Sequence, residues 1–170
     1  MNILENVPLV AATRRNHGIE HATVYMLSRR QPDRRLVARS NHRGFLVLGD
    51  TTDSELTDAV NEALRRLHAG DTNLVIHPNC GTNFVTSGIL AGVAAWMASR
   101  LGDQQRPWWE QFPLVTVAAT LALFAAQPLG RALQAHITTS AQVAGIRLAS
   151  VTRRRNLGPV MVHFVELAAA

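Results

Sequence analysis

Residues 84–98 read FVTSGILAGVAAWMA, and residues 114–126 read LVTVAATLALFAA; neither stretch carries a charge. The second run stays uncharged over the wider limits 111–130. With its polar shoulders, each run approaches the roughly 20 residues that a helix needs to cross about 30 Å of hydrocarbon. The reading that follows is a two-helix transmembrane hairpin over residues 83–130. The strictly apolar parts are short, which leaves a soluble protein with two buried central helices as the alternative. Gly88 and Gly92, four residues apart, would allow close helix packing, and Trp108 and Trp109 fit an interfacial aromatic belt.

Charge around the hairpin sets its orientation. The connector between the runs contains Arg100, Asp103, Arg106 and Glu110, which balance, whereas the other fifteen of the 17 basic residues lie in the flanks. Arginine-rich flanks on the two sides of a hairpin place both termini in the cytoplasm by the positive-inside rule. No secretory signal is visible in residues 1–12, where the start has no basic residue and the apolar run covers only 8–12, so the N-terminus is expected to remain cytoplasmic.

Composition narrows the classes further. Hydrophobic residues make up 47% of the 170 positions and charged residues 17%, against about 25% charged in an average soluble domain, so disorder is excluded and an apolar solvent is indicated. Every basic residue is arginine, which excludes P-loop and Schiff-base lysine chemistry. The single cysteine, Cys80, excludes an intrachain disulfide and an all-cysteine metal site. A net charge of +5 invites a nucleic-acid partner, but the arginine clusters have few aromatic residues among them for base stacking. The lipid bilayer is the expected partner, and no nucleic acid is expected.

The flanks read as α+β. Residues 1–82 hold a helix from about His17 to Arg30 capped by Asn16, short strands at 36–39 and 45–48 around a polar turn, and a helix capped by Asp53 and stopped by Gly70. The stripe Leu56, Val60, Ala63, Leu64 and Leu67 makes that second helix scaffold. A strand over residues 73–77 and the turn Pro78-Asn79-Cys80-Gly81 lead into the first apolar helix, which Thr82 or Asn83 would cap. Residues 131–170 add a polar helix to about Thr139 and a final hairpin, 145–152 with 160–167, around residues 153–158. The expected fold is a small mixed cytoplasmic α+β domain of about five short strands and two to three helices, interrupted by the membrane hairpin.

Two short motifs carry chemistry. In His17-Gly18-Ile19-Glu20-His21 the histidines are four apart, so on a helix both imidazoles project from one side, the arrangement of two nitrogen ligands on one ion. Glu20 lies on the flank of that face, where a carboxylate can activate a metal-bound water as general base. In His77-Pro78-Asn79-Cys80-Gly81-Thr82 an imidazole and a thiol lie three residues apart on a tight turn, which lets both reach one ion. Cys80 would also sit near a helix N-terminus, whose partial positive charge favours thiolate. His17, His21, His77 and Cys80 together suit Zn2+: four ligands close the site and make it structural, and three leave a position for water and substrate.

The paired patterns H-G-x-E-H-x-T, at His17, Gly18, Glu20, His21 and Thr23, and H-P-x-C-G-T, at His77, Pro78, Cys80, Gly81 and Thr82, resemble uncharacterised bacterial membrane-protein families described as predicted metal-dependent enzymes. The resemblance covers roughly residues 16–100 and implies a metal site more than any reaction. H-x-x-E-H is also the inverted zinc-protease motif, but those proteases draw a third ligand from a downstream glutamate, and between Glu62 and Asp103 this chain has only Asp71.

Other readings compete. His17 and His21 could face solvent, Glu20 could pair with an arginine, and Cys80 could be a small buried hydrophobe, or a nucleophile with a nearby histidine as base. His163 and Glu166 fall on opposite faces of the last strand, which makes His163 structural; His42, His68 and His136 read as surface. Two functions remain: a metal-dependent hydrolase with Glu20 as general base, and a non-catalytic membrane component whose structural metal site docks a membrane-protein partner.

Overall fold

The computed structural model describes residues 3–101, 107–154 and 160–169. Asp103 and Arg106 of the predicted connector, and most of the predicted final turn, lie outside the described residues. The chain divides into two compact units, one formed by Met1–His77 with Ala135–Ala170 and the other by Pro78–Gln134.

The first unit is a four-stranded sheet with two helices on it. Helix α1 spans Pro8–Arg30, strands β1 and β2 span Leu36–Asn41 and Gly44–Gly49, and helix α2 spans Asp53–His68; strands β3, Ile146–Arg153, and β4, Val162–Ala169, complete the sheet. The strand order is β1-β2-β4-β3 with every pairing antiparallel. Phe45 opposes Val165 and Val47 opposes His163, so these four side chains share the face on which the helices pack. Ile19, Ala22 and Met26 of α1 meet Leu56, Val60, Ala63 and Leu64 of α2 over that face to form the core. Burial of this apolar surface is the main favourable term in folding the unit.

Several boundaries differ from expectation for identifiable reasons. Helix α1 begins at Pro8, whose fixed φ suits the first turn, and Asn16 lies inside it, 2% exposed, donating its amide to Asn41 O at 2.9 Å instead of capping. The β1–β2 turn tightens to His42 and Arg43, because Asn41 Oδ1 accepts the N–H groups of Arg43 and Gly44 at 2.8 and 3.2 Å. Helix α2 is capped by Thr52, one residue before Asp53, in a capping box: the Thr52 hydroxyl accepts the Glu55 N–H and the Glu55 carboxylate accepts the Thr52 N–H. The expected strand over 73–77 is a 3-10 turn, Thr72–Val75, in which Leu74 and Val75 are both buried; successive strand residues would have pointed to opposite faces. Among the described residues the sheet accordingly has four strands, fewer than the five expected.

The second unit is a pair of long helices, α3 at Gly81–Leu101 and α4 at Trp108–Leu133, packed against each other. Pro128 does not end α4, which continues to Leu133 and passes into a π-helical turn, Gln134–Thr138. At about 1.5 Å per residue, α3 and α4 are about 32 and 39 Å long. Both are long and apolar enough to cross a membrane. Large apolar side chains project outward along them, including Phe84 at 70%, Trp96 at 61% and Phe124 at 72% exposure, so the pair is not a buried core. Gly88 and Gly92 do not form the helix contact; open space lies where their Cβ atoms would be. Close approach occurs instead at Gly130, where a Cβ would lie 2.4 Å from Asn83 Oδ1. Asn83 does not act as a simple helix cap: it donates to Pro78 O and accepts from Gln134 Nε2, each at 2.7 Å. That buried amide pair ties the start of α3 to the end of α4.

Candidate metal centre

Helix α1 presents its histidines to two chain segments that are remote in sequence. His21 is buried, and its Nδ1 lies 2.6 Å from the carbonyl oxygen of Val75; half-buried His17 places Nδ1 2.9 Å from the carbonyl oxygen of Thr138. A carbonyl only accepts, so each Nδ1 carries the hydrogen and each Nε2 carries the lone pair in the neutral ring. Histidine ligands are commonly oriented in this way, by an outer hydrogen bond from the nitrogen that does not bind the ion.

The third imidazole, that of His77, lies beside His21. The ring centroids of His17 and His21 are 4.3 Å apart, those of His21 and His77 are 5.7 Å apart, and ligand atoms of His17 and His21 lie within 4.8 Å of each other. Imidazoles bound to one tetrahedral ion at about 2.0–2.1 Å have centroids roughly 5 Å apart, close to both observed spacings. The short helical turn Thr72–Val75 that replaces the expected strand is what sets His77 and the Val75 carbonyl beside α1.

Gly18 makes the approach possible. A Cβ there would lie 2.5 Å from Ser140 O and 3.0 Å from Val75 Cγ1, so any larger residue would push α1 off both segments that carry the orienting carbonyls. Glu20 is buried at 6% exposure, and its carboxylate accepts a hydrogen bond from the Ser40 hydroxyl of β1. Cys80 belongs to the helical unit, three residues after His77; it is buried, and the Thr82 N–H lies 3.4 Å from its sulfur. Imidazole and thiol donors such as those of His17, His21 and Cys80 are of the kinds that hold a transition-metal ion.

The remaining histidines separate from this cluster. His163 is 1% exposed on the core face of β4 with Nε2 2.9 Å from Asp53 Oδ1, while Glu166 accepts from Ser150 Oγ at 3.2 Å on the other face. His42, His68 and His136 are exposed, and His68 Nε2 lies 2.9 Å from Val143 O. Arg14 and Ser40, together with the carbonyls of Val75 and Thr138, are site components that motif reading missed. Arg14 did carry a signal, since it lies three residues before His17 on the same helix face.

With this geometry in place, comparison assigns a family. Residues 12–151 match the family described as Domain of unknown function (DUF6391). The chain belongs to that family. The matched span contains His17, Glu20, His21, His77 and Cys80. An uncharacterized protein of Picosynechococcus sp. is 34% identical over 168 residues, which cover 91% of this chain and 78% of that protein. No solved structure matches. The resemblance read from the motifs therefore holds as membership of an uncharacterised family, and DUF6391 membership itself carries neither the paired motifs nor metal dependence.

Proposed function

We propose that this protein is a metal-binding membrane protein in which Nε2 of His17 and His21, with His77, ligate one zinc ion and Cys80 supplies a sulfur ligand. The observation that carries the reading is the pairing of two Nδ1–H groups with backbone carbonyls, Val75 O and Thr138 O, which commits both rings to Nε2 as donor atom. The two residues between His77 and Cys80 make a tether short enough for both to share the ion, and an N–H directed at sulfur suits a thiolate. Helices α3 and α4 would span the bilayer, and the arginine distribution would keep both termini cytoplasmic.

The reaction this donor set supports is metal-assisted hydrolysis, with the ion lowering the pKa of a bound water toward about 7 and Glu20 as general base. A specific observation favours the second reading, a structural metal that docks a partner: the Ser40 hydroxyl already occupies the Glu20 carboxylate. Glu20→Gln separates the two. Retained metal with hydrolysis of an activated ester falling at least about 100-fold supports catalysis; unchanged rates assign the metal to structure. Metal analysis of the detergent-purified full chain, prepared without chelators, should give one equivalent of zinc, bound weakly enough in His21→Ala that a competing chelator removes it. Absence of stoichiometric metal from the wild type overturns the centre, and release of the protein by alkaline carbonate overturns the bilayer assignment.

A further inference from the structure

Arg14 is 5% exposed, deep enough that its charge must be compensated by the groups around it. Its guanidinium donates to three backbone carbonyls of the segment that follows α4: Nε to Ile137 O at 2.6 Å, and Nη2 to His136 O at 3.0 Å and Thr139 O at 3.1 Å. Nη1 pairs with the Glu5 carboxylate, which balances the charge. The backbone of Arg14 joins in, its carbonyl accepting the Ser140 N–H at 3.1 Å. Residues 136–140 are thus held to α1 at both ends.

Between two of the carbonyls that Arg14 fixes, those of Ile137 and Thr139, stands the Thr138 carbonyl, which accepts the Nδ1–H of His17. We infer that Arg14 is a positioning residue for the metal centre: it locks the π-helical turn so that Thr138 O holds His17 in the Nδ1–H tautomer with Nε2 directed to the ion. This rests on the metal-binding reading above. An arginine that only neutralised the end of a helix would need contact with terminal carbonyls in general; this one brackets the single carbonyl that orients a ligand. The guanidinium fork spans three acceptors at fixed angles, which a lysine ammonium does not reproduce.

The test is a double-mutant cycle on zinc affinity in the full-length, detergent-purified protein, with folding checked by circular dichroism. Arg14→Met should weaken zinc binding by about 10- to 100-fold, the usual effect of removing an outer-shell partner. In a His21→Ala background the same loss should persist, and in a His17→Ala background it should shrink to less than about twofold. Arg14→Lys should fail to restore affinity. Nitrogen-detected NMR of the metal-free protein should show His17 leaving the Nδ1–H form in Arg14→Met, a readout independent of zinc. Equal losses in both histidine backgrounds, an unchanged His17 tautomer, or unfolding of both Arg14 variants would overturn the positioning role. A wild type without zinc but with the Arg14-dependent tautomer would sink the metal reading alone.

Discussion

In the α/β unit most of the largest side chains go inward and most buried polar ones have partners; in the helical unit the large side chains go outward. Phe45, Ile19, Leu27 and Val60 are fully buried or nearly so, and Arg14, Asn16, Glu20 and His21 lie among them with hydrogen bonds to other segments. Phe84, Leu101, Trp108 and Phe124 of α3 and α4 are 70–82% exposed. The first pattern is how a chain folds in water, where removing about 25 cal/mol per Å² of apolar surface from solvent drives folding. The second is stable where the solvent is itself apolar, and the helices then hold together through packing and polar clamps such as Asn83 with Gln134. The candidate site follows the same division: the hydrogen-bonded imidazoles sit in the unit that specifies its interior, and the exposed apolar surface sits in the other.

The largest effect that breaks or confirms this contrast comes from two phenylalanine truncations. Phe45→Ala empties the centre of the sheet face and should destabilise the α/β unit by about 3–5 kcal/mol, read as a lowered urea midpoint. Phe124→Ala, at 72% exposure, should leave that midpoint unchanged. Comparable losses from both would mean that the helices are covered by protein and that the contrast is false.

A smaller effect distinguishes two glycines that look alike in sequence, each within a helix. Replacing a helical glycine by alanine ordinarily gains about 1 kcal/mol. At Gly88 nothing opposes the added methyl group, so Gly88→Ala should be neutral or stabilising. At Gly18 the methyl would lie 2.5 Å from the backbone oxygen of Ser140, which cannot rotate away, and the resulting displacement costs about 1–3 kcal/mol, more than the propensity gain. Gly18→Ala should lower the urea midpoint and weaken the proposed metal binding together. A stabilised Gly18→Ala would show that α1 and the segments bearing Val75 and Ser140 are less tightly seated than the geometry implies.

What could be read in advance depended on whether the determining signal was local. The apolar stripe of α2 has helical period and was legible; its cap was displaced by one residue because Thr52 and Asp53 can both cap, and Glu55, three residues after Thr52, is what decides between them. Asn16 resembled a cap by type but is held in the helix interior by a strand carbonyl, a tertiary contact with no local trace. The run Leu74-Val75-Ile76 is too short for periodicity to separate strand from turn. At the candidate metal centre, the four-residue spacing of His17 and His21 was visible, as was the motif that carries His77. The groups that orient the rings were not, because Val75 and Thr138 act through backbone oxygens and a carbonyl has no residue-type signature. Arg14 was hidden among 17 arginines alike in sequence until burial and its three carbonyl partners set it apart.

The smallest expected effect is an acid sensitivity confined to the α/β unit. Glu55 accepts from Arg34 Nη2 at 2.9 Å and from the Thr52 N–H at 3.0 Å, and these bonds, the arginine first, hold its carboxyl at a pKa of about 2, below its ordinary 4.5. A carboxyl whose folded pKa is depressed contributes stability above its unfolded pKa and loses it as pH falls through the folded one. The contribution should therefore be complete above pH 4.5 and disappear between there and about 2. Solvent at the partly exposed Glu55 screens the ion pair, so the magnitude is best set by the cap itself, about 1 kcal/mol. Thr52→Ala should cost that much at pH 7. Glu55→Gln should flatten the part of the acid-unfolding curve that Glu55 contributes between pH 4.5 and 2 while leaving its other carboxylates to titrate. An acid-unfolding curve identical in wild type and Glu55→Gln would show that the Arg34 pairing adds nothing to the stability of this unit.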